Sequence, residues 1–520
     1  MENINKLTLE QKIGQLFIVA VEGTSLSDEY RNHYLKHHLG NFIYFAANLK
    51  DYKSIRSFSD SLQAVAKEAS GIPAFISADQ EGGMVMRAFS GTTHFPSNMA
   101  IAASQMTDSI EQVGEMVGKE LRALGINLNH APCVDVNNNA DNPVIGIRSY
   151  GDDVDLVSKL GVGYITGLQR SGVMANAKHF PGHGDTHLDS HLALPSIDHG
   201  MERLNAIELP PFRAAIANGV DSIMTAHIIF KAIDSELPAT LSHKVLTGLL
   251  REKMGFEGLV VTDCMAMDAI KDHFTTEKGC VMAIKAGADL LCLCRPIDIQ
   301  RQCYEMVLEA AKSGEIPMSR IDEAVGRILK YKEKYGLASA SASPVEKYEE
   351  HEKLADKISE TSITLVKGNP ELLPITDKKI FAISPPPYRA NIVDDTIIVQ
   401  QTFCERAADV LGCPYTEISA NPDEAEIAAI VKKVEGHDIV LYATYSAMLN
   451  LGQIDVFKAL KAAGKKVILV TLRVPYDYLK MQEADAYVAT YEYTNRAINN
   501  TIKALKGELE FVGKLPVSNL

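Results

Sequence analysis

The sequence contains no tryptophan in 520 residues, and it has no excess of basic residues. Lys and Arg number 52 against 66 Asp and Glu, which gives a formal net charge of −14. A protein that binds nucleic-acid backbones needs a basic stripe to displace counterions from the phosphates. We therefore expect no nucleic-acid partner.

Long apolar runs are also missing: no stretch of about 18 apolar residues occurs, so we predict no membrane-spanning helix. The first ten residues lack a cationic segment followed by an apolar run, so we expect no signal peptide and a cytoplasmic protein. The eight cysteines are scattered through apolar segments, which favours reduced thiols over a disulfide framework. The pair Cys292-Leu-Cys294 is spaced too closely for the usual zinc motifs and alternates like a strand, so we expect no metal there.

Short apolar runs alternate with helical patterns over the first two thirds of the chain. Helices are predicted between successive strands, which indicates βαβ units, a parallel sheet and, with eight units, a (β/α)8 TIM-type barrel. The eight predicted strands span residues 13–21, 41–45, 74–79, 127–135, 173–179, 222–227, 258–263 and 288–292. The predicted helices span residues 52–69, 108–124, 154–171, 210–218, 242–253, 277–286 and 298–313.

Small residues closed by a proline follow the last barrel helix and predict a surface linker. We expect a catalytic barrel over residues 1–335, a linker over 336–350 and a smaller α/β sandwich domain over 351–520. In the second domain we predict strands near residues 380–384, 396–400, 439–445, 467–472 and 486–490. This domain has no glycine-rich nucleotide motif after a strand, so we expect no nucleotide cofactor.

Polar residues stand where the predicted barrel strands end, and a barrel carries its active site at that face. These residues are Asp79, Asp135, Lys178 with His179, His227 and Asp263. The densest polar stretch is residues 177–191, with four histidines and two aspartates. From the residues alone it allows three interpretations: a metal site, a solvent-facing loop, or acid–base chemistry in which Asp189 orients His191.

Six motifs in order resemble glycoside hydrolase family 3, in its β-N-acetylglucosaminidase branch. The longest of them is Lys178-His-Phe-Pro-Gly-His-Gly-Asp with Asp189-Ser-His191. The others are Asp79-Gln-Glu-Gly-Gly, Asn129-His-Ala-Pro-Cys-Val-Asp-Val136, Ile147-Arg-Ser-Tyr-Gly151, Met224-Thr-Ala-His227 with Pro238-Ala-Thr-Leu-Ser242, and Val261-Thr-Asp263. The resemblance covers residues 7 to 335, and two segments, at Ile363-Thr-Leu-Val-Lys and Gly513-Lys-Leu-Pro-Val, resemble the family's second domain.

The resemblance implies a retaining glycosidase with Asp263 as the nucleophile and His191, paired with Asp189, as the acid–base. It implies sugar contacts from Asp79, Arg148, Lys178, His179 and His227, of which His227 is the weaker expectation; Asp135 is weaker again. No metal or other cofactor is implied. One departure stands out, because Met84 occupies the position where the family's first motif usually has arginine.

We expect an exo-β-N-acetylglucosaminidase that acts on small soluble amino-sugar glycosides, muropeptide or chitin fragments, as a monomer or homodimer. The absence of tryptophan is consistent with a small substrate, since clefts that bind polymers rely on large aromatic platforms. Three other enzyme classes stay open. The first is a phosphorylase, because a neutral histidine does not repel an incoming phosphate. The others are a β-glucosidase that uses a glutamate near the second domain and a metal-dependent barrel hydrolase. A catalytically silent sugar-binding protein is a further alternative.

Overall fold

Eight parallel strands close into a barrel in the first part of the chain. The computed structural model describes residues 4–187, 189, 194–294, 296–337, 349–376, 379–391, 393–395, 399–518 and 520. The barrel strands are β1 (Phe17–Ala20), β2 (Asn41–Ile43), β3 (Phe75–Ala78), β4 (Leu128–Asn129), β5 (Met174–Phe180), β6 (Ser222–Thr225), β7 (Leu259–Val261) and β8 (Leu291–Leu293). Their order is β7-β6-β5-β4-β3-β2-β1-β8, and a parallel bridge between Val261 and Leu290 joins the two ends. The predicted barrel is confirmed.

Helices connect and cover the strands. In the barrel region they are α1 (Leu9–Gln15), α2 (Asp28–Lys36), α3 (Tyr52–Ser70), α4 (Asn98–Ala103), α5 (Ile110–Ala123), α6 (Val154–Arg170), α7 (Met201–Ala206), α8 (Pro210–Ala217), a wide-turned π-helix at Lys244–Lys253, α9 (Asp268–Phe274), α10 (Thr276–Ala286), α11 (Ile297–Lys312) and α12 (Met318–Lys334). No helix in the described part of the chain is both long and apolar enough to cross a membrane.

The first predicted strand, at residues 13–21, is wrong in its first half, because residues 9–15 form α1. Thr8 caps this helix: its side chain accepts a hydrogen bond from the Gln11 backbone nitrogen at 3.2 Å, and the Gln11 side chain accepts one from the Thr8 nitrogen at 3.0 Å. This reciprocal capping box starts a helix that the apolar run alone does not reveal. The strand begins only at Phe17.

The second domain is a six-stranded mixed sheet with helices, as predicted. Its strands are β9 (Thr364–Lys367), β10 (Ile380–Ser384), β11 (Tyr415–Glu417), β12 (Ile439–Thr444), β13 (Lys466–Thr471) and β14 (Ala486–Ala489), in the order β9-β14-β13-β12-β10-β11 with β9 antiparallel. Its helices are α13 (Glu349–Ser362), α14 (Phe403–Leu411), α15 (Glu424–Lys433), α16 (Gly452–Ala462) and α17 (Asn495–Leu505). The sequence did not predict β9 or β11, which are short.

The strand predicted at residues 396–400 is not observed where the chain can be described. Residues 396–398 lie outside the described residues, and Val399 and Gln400 belong to no strand. Most of the predicted linker, residues 338–348, also lies outside the described residues. The domain boundaries therefore stay a prediction.

The two domains share apolar contacts. Met84, Met99 and Ile147 of the barrel region pack within the hydrophobic cluster of the second domain. The tail of the chain then returns to the barrel, where the Lys514 nitrogen donates to the Ala103 carbonyl at 2.9 Å. Further along, the Ser518 nitrogen donates to Asp152 Oδ2 at 2.7 Å. These contacts fix the second domain against the face of the barrel that carries the strand-end polar residues.

Candidate active site

A cavity of about 240 Å³ lies at the carboxyl ends of the barrel strands. Its wall consists of Ile43, Phe45, Asp79, Arg87, His130, Arg148, Lys178, His179, Met224, Asp263, Cys264, Met267, Cys292, Cys294 and Val393. Larger clefts of about 620 and 350 Å³ lie elsewhere and contain none of the predicted site residues. The structure thus brings together Asp79, Arg148, Lys178, His179 and Asp263 in one small cavity.

Two cations of the cavity wall, Lys178 and Arg148, are held by two carboxylates, Asp79 in the wall and Glu81 behind it. Lys178 Nζ lies 2.8 Å from Asp79 Oδ1 and 2.6 Å from Glu81 Oε1. Arg148 binds Glu81 with two parallel hydrogen bonds, from Nε at 3.0 Å and from Nη2 at 2.9 Å. Paired bonds of this kind fix the plane of the guanidinium as well as its position. Arg148 and Lys178 are therefore held rigidly through Glu81.

The charges in this network decide which carboxyl groups are ionised. Burial alone would raise the pKa of Asp79, but the charges of Lys178 and Arg87 hold it well below its usual range. Burial likewise works to raise the pKa of Glu81, and Arg148 and Lys178 lower it to about 2. Both carboxylates are ionised at neutral pH, so Asp79 presents only hydrogen-bond acceptors to a molecule in the cavity.

Arg87 and Asp395 extend the network into the second domain. Arg87 Nη2 lies 3.5 Å from Asp79 Oδ2, and its Nη1 lies 2.8 Å from Asp395 Oδ2 and donates to the Val393 carbonyl at 3.0 Å. Asp395 also accepts a hydrogen bond from the Met86 nitrogen at 2.8 Å. The second domain therefore supplies Val393 to the cavity wall. It also supplies Asp395 as a counter-ion for Arg87, another residue of that wall.

Met84, which departs from the family pattern, does not face the cavity. Its side chain is buried in the hydrophobic cluster of the second domain, and its carbonyl accepts a hydrogen bond from the Asp395 nitrogen at 2.9 Å. Met84 lies between two short antiparallel strands, Gln80–Gly82 and Val85–Met86, which form a hairpin. The arginine that reaches the cavity is Arg87, three residues after Met84. Sequence reasoning missed Arg87, although it follows the same motif.

His179 is oriented by Asp135. The Nδ1 atom of His179 lies 2.8 Å from Asp135 Oδ2, and the other ring nitrogen, Nε2, lies 3.4 Å from Arg148 Nη2. Asp135 accepts further hydrogen bonds from the backbone nitrogens of His179 and His183 and from Cys133 Sγ. Donor atoms of Cys133, Asp135 and His179 lie within 4.8 Å of one another, a mixed set that can hold a zinc-type ion. Asp135 thus positions His179 from behind the cavity.

His130 is a cavity residue that sequence reasoning also missed. Asn176 Nδ2 donates to its Nδ1 at 2.9 Å, which leaves the proton on Nε2, and that atom has no hydrogen-bond partner among the described residues. Burial lowers the pKa of His130 to about 4, so the ring is neutral at working pH. It offers an N–H donor in the cavity wall.

Asp263 follows β7 by two residues and stands in the cavity wall beside Met224 and Cys264. Its Oδ1 accepts a hydrogen bond from the Cys264 nitrogen at 2.7 Å. His227 lies behind it and is fully buried: Nδ1 is 2.8 Å from Thr240 Oγ1, and Nε2 is 3.0 Å from the Cys264 carbonyl. The structure therefore places His227 where it supports the Asp263–Cys264 turn rather than in the cavity wall.

The predicted dyad falls in the loop after β5. Asp189 is buried, and His191 lies outside the described residues. The base of the loop is anchored by Asn142, whose Nδ2 donates to the carbonyls of His183 and Gly184 at 2.9 and 3.0 Å. The role of this loop stays a prediction.

The fold and the cavity define the class: an α/β-barrel enzyme whose polar site lies at the carboxyl ends of the strands. Residues 8–331 match the N-terminal domain of glycosyl hydrolase family 3. The chain belongs to this family, and it is a glycoside hydrolase.

Two curated relatives extend over nearly the whole chain. Beta-hexosaminidase A of Pseudoalteromonas piscicida is 31% identical over 95% of this chain and 92% of its own length. A beta-N-acetylglucosaminidase/beta-glucosidase of Cellulomonas fimi is 29% identical over 98% of this chain and 93% of its own length. Among solved structures, the family 3 beta-N-acetylglucosaminidase from Paenibacillus sp. str. FPU-7 superimposes with a TM-score of 0.93 at 38% identity, covering 98% of this chain and 99% of that one.

Proposed function

We propose that the protein is a retaining exo-β-N-acetylglucosaminidase that removes terminal N-acetylglucosamine from muropeptide or chitin-type fragments. The observation that carries the proposal is a small cavity that Asp263 lines together with the Asp79–Lys178–Arg148 cluster. Similarity over the full length to proteins named beta-hexosaminidase A and beta-N-acetylglucosaminidase supports the choice of sugar.

The cavity suits one terminal sugar. Pockets for drug-sized ligands span about 300–1,000 Å³, so about 240 Å³ fits a single ring and its substituent better than a longer oligosaccharide. Asp79 accepts hydrogen bonds from sugar hydroxyls, while Lys178 and Arg148 donate to hydroxyl or amide oxygens. His179 is fixed by Asp135 to present one defined ring edge to the sugar.

In the first step, an oxygen of Asp263 attacks the anomeric carbon, and the bond from that carbon to the leaving oxygen breaks. His191, oriented by Asp189, gives its proton to the leaving oxygen. A covalent glycosyl-Asp263 ester results, which divides one difficult displacement into two easier ones.

In the second step, water attacks the anomeric carbon from the face that the leaving group vacated. His191 takes the proton of this water, the ester bond to Asp263 breaks, and the β configuration is retained. Among the described residues of the cavity wall, the carboxylates are Asp79 and Asp263, and Lys178 already engages Asp79. This supports a histidine rather than a second carboxylic acid as the proton donor.

The sugar and the acceptor are tested together with aryl N-acetylglucosaminides and aryl glucosides, each with and without inorganic phosphate. We expect free N-acetylglucosamine, formed at the same rate with and without phosphate, and a much lower rate on glucosides. A glycosyl phosphate product would identify a phosphorylase instead, and a preference for glucosides would contradict the choice of sugar.

The nucleophile is tested with a fluorinated N-acetylglucosaminide that forms the ester quickly and releases it slowly. Mass spectrometry should locate the label on the peptide that contains Asp263. Asp263→Asn should lose at least about a thousandfold in kcat, as expected when an essential catalytic group is removed. Asp268→Asn, on the following helix, is the matched control and should react normally. Labelling at another residue would reject the assignment.

The proton donor is tested with His191→Ala. Poor leaving groups need protonation, so their turnover should fall by about 10²–10⁴-fold. Activated aryl glycosides should be affected far less. His187→Ala, an exposed histidine of the same loop, is the control. Equal losses on both leaving groups would contradict the role of His191.

A further inference from the structure

A cleft of about 620 Å³ lies away from the catalytic cavity. Helices α13 and α17 of the second domain line it, together with a loop of the barrel region that contains Phe89 and His94. The cleft has no lining residue in common with the catalytic cavity, and its volume is about two and a half times as large. The proposed mechanism makes no use of this α13–α17 cleft.

Helix α17 presents hydrogen-bond donors to the cleft. Asn495, Asn499 and Lys503 line it and are spaced four residues apart, so they lie along one stripe of the helix. Asn495 Oδ1 accepts a hydrogen bond from the Gln400 nitrogen at 2.9 Å. Asn499 Oδ1 accepts one from Arg406 Nε at 2.8 Å. A backbone N–H and a guanidinium can only donate, so these contacts fix which atom of each amide is the oxygen. No residue in the described part of the chain accepts a hydrogen bond from either Nδ2, so both remain as donors for a ligand.

Helix α13 adds acceptors, and the charges of the cleft balance. Asp356 and Glu360, four residues apart on α13, line the cleft with carboxylate oxygens. The cations that line it are Arg496 and Lys503. Burial lowers the pKa of His94 to about 4, so this ring is neutral. Two positive and two negative charges favour a neutral ligand over a polyanion or a polycation.

Phe89 adds an aromatic surface. Its side chain is 37% exposed, and its ring packs edge-on against His94, with centroids 5.7 Å apart and planes at 76°. His94 is held in turn by a hydrogen bond from Nε2 to the Gly83 carbonyl at 2.7 Å. An aromatic ring that is open to a polar cleft provides contact area for a ligand with one apolar face.

We propose that the α13–α17 cleft is a second, non-catalytic binding site for a neutral oligosaccharide of two or three rings. Sugar hydroxyls both donate and accept hydrogen bonds, which matches the amide donors of α17 and the carboxylate acceptors of α13. A sugar ring also has a face of C–H groups that can lie against Phe89. The volume exceeds the space that one ring needs in the catalytic cavity and suits a short chain.

Binding is tested by isothermal titration calorimetry of the full-length protein with a sulfur-linked trimer of N-acetylglucosamine, which resists hydrolysis. We expect two trimers per chain, one at the catalytic cavity and one in the cleft. Phe89→Ala should weaken one of the two sites by about tenfold. Asn499→Asp keeps the acceptor for Arg406 but replaces the N–H donor with an acceptor. It should weaken the same site by about tenfold or more.

Three controls locate the site. Tyr415→Ala removes an exposed aromatic ring of the second domain that does not line the cleft. Asn205→Asp changes an exposed asparagine that also accepts a hydrogen bond from an arginine, Arg213. Both variants should bind two trimers as the wild type does. Phe89→Tyr keeps an aromatic ring and should also bind normally. Circular dichroism confirms that each variant is folded.

Hydrolysis of an aryl N-acetylglucosaminide separates this site from the catalytic one. Phe89→Ala and Asn499→Asp should keep the wild-type kcat/KM, because neither residue lines the catalytic cavity. If the proposed function fails and the cavity binds no sugar, one site that responds to both variants still supports the cleft. Unchanged affinity in either variant overturns the proposal, as does tighter binding of a sulfated trimer than of the neutral one.

Discussion

At the scale of single residues, Lys178 and Arg148 depend on a carboxylate that does not itself line the cavity. Glu81 accepts two hydrogen bonds from Arg148 and one from Lys178, and its exposed fraction is 6%. It is therefore a positioning residue: it sets the direction of both cations, which line the cavity. The sequence motif contains Glu81, but only the geometry shows its role.

Glu81→Gln tests this positioning through stability and activity. Because the pKa of Glu81 is about 2 in the folded protein, ionisation stabilises the fold above its unfolded pKa of about 4.5. We expect the wild type to exceed the variant by about 3 kcal/mol at pH 7. The difference should shrink as pH falls through 4.5 toward 2. Urea denaturation at several pH values measures it.

The activity of Glu81→Gln should fall as well, by about a hundredfold in kcat/KM, since small displacements of positioning groups have effects of this size. Glu68→Gln is the control, because Glu68 forms only an exposed pair with Arg31. Normal kcat/KM in Glu81→Gln would show that the cations hold their positions without this carboxylate.

At the scale of elements, the hairpin after β3 turns its two sides to different parts of the molecule. Its strands, Gln80–Gly82 and Val85–Met86, are antiparallel. Met84 points into the second domain, and Arg87 reaches the cavity. The motif places Asp79 at the end of β3, but it cannot reveal which residue of the hairpin faces which side, since this depends on contacts with a segment about 300 residues away.

Met84→Arg, which restores the residue usual in the family motif, should destabilise the protein. Its side chain is 2% exposed in an apolar cluster, so an arginine there is a buried charge without a partner. We expect a loss of about 3–5 kcal/mol, measured by denaturant unfolding. Met84→Leu conserves shape and should cost less than about 1.5 kcal/mol. A stable Met84→Arg protein would mean that the hairpin can rotate.

The segment that carries Val393 and Asp395 gives a second prediction at this scale. Asp395→Asn removes the counter-ion of Arg87 but keeps an acceptor for the Met86 nitrogen. Arg87 then turns fully to Asp79, which becomes less available to the sugar. We expect KM to rise about tenfold with little change in kcat, measured with an aryl N-acetylglucosaminide. Asp438→Asn, which changes an exposed residue of the same domain, should behave as the wild type. An unchanged KM in Asp395→Asn would show that Asp395 has no part in substrate binding.

Most elements of the fold follow from the sequence, because apolar runs of strand length alternate with amphipathic helical patterns. The exceptions have local causes. α1 depends on the Thr8–Gln11 capping box, and the short edge strand β11 has only three residues, of which two are exposed. The strand-end residues Asp79, Lys178 and Asp263 are predictable. The contact of Asp395 with Arg87 is not, since no periodic pattern records contacts between distant segments.

At the scale of the whole molecule, a buried carboxyl joins the two domains. Glu492 Oε2 accepts a hydrogen bond from the Ser97 nitrogen at 3.0 Å, at the start of α4. The next residue, Asn98, donates to the Arg148 carbonyl through Nδ2 at 2.5 Å. A connected path therefore runs from the second domain to a residue of the cavity.

Glu492→Gln should change how stability depends on pH. Burial raises the pKa of Glu492 to about 7, so the folded protein favours the protonated carboxyl. The stability that this preference contributes is fully present below the unfolded pKa of about 4.5 and is lost as pH rises through 7. Above pH 7 the variant should be more stable by about 3 kcal/mol, and near pH 4 equal to the wild type. Thermal unfolding at pH 4.5 and 8 checks this. Equal shifts at both pH values would contradict it.

The shared apolar contact between the domains has a consequence for synthesis. During translation the eight barrel strands leave the ribosome before Val393 and the segment that ends at Ser518, and domains generally fold in that order. Until the later segment arrives, Met84, Met99 and Ile147 are uncovered and the cavity lacks Val393 in its wall. The nascent barrel therefore exposes apolar side chains to solvent, and its cavity is complete only when the second domain docks.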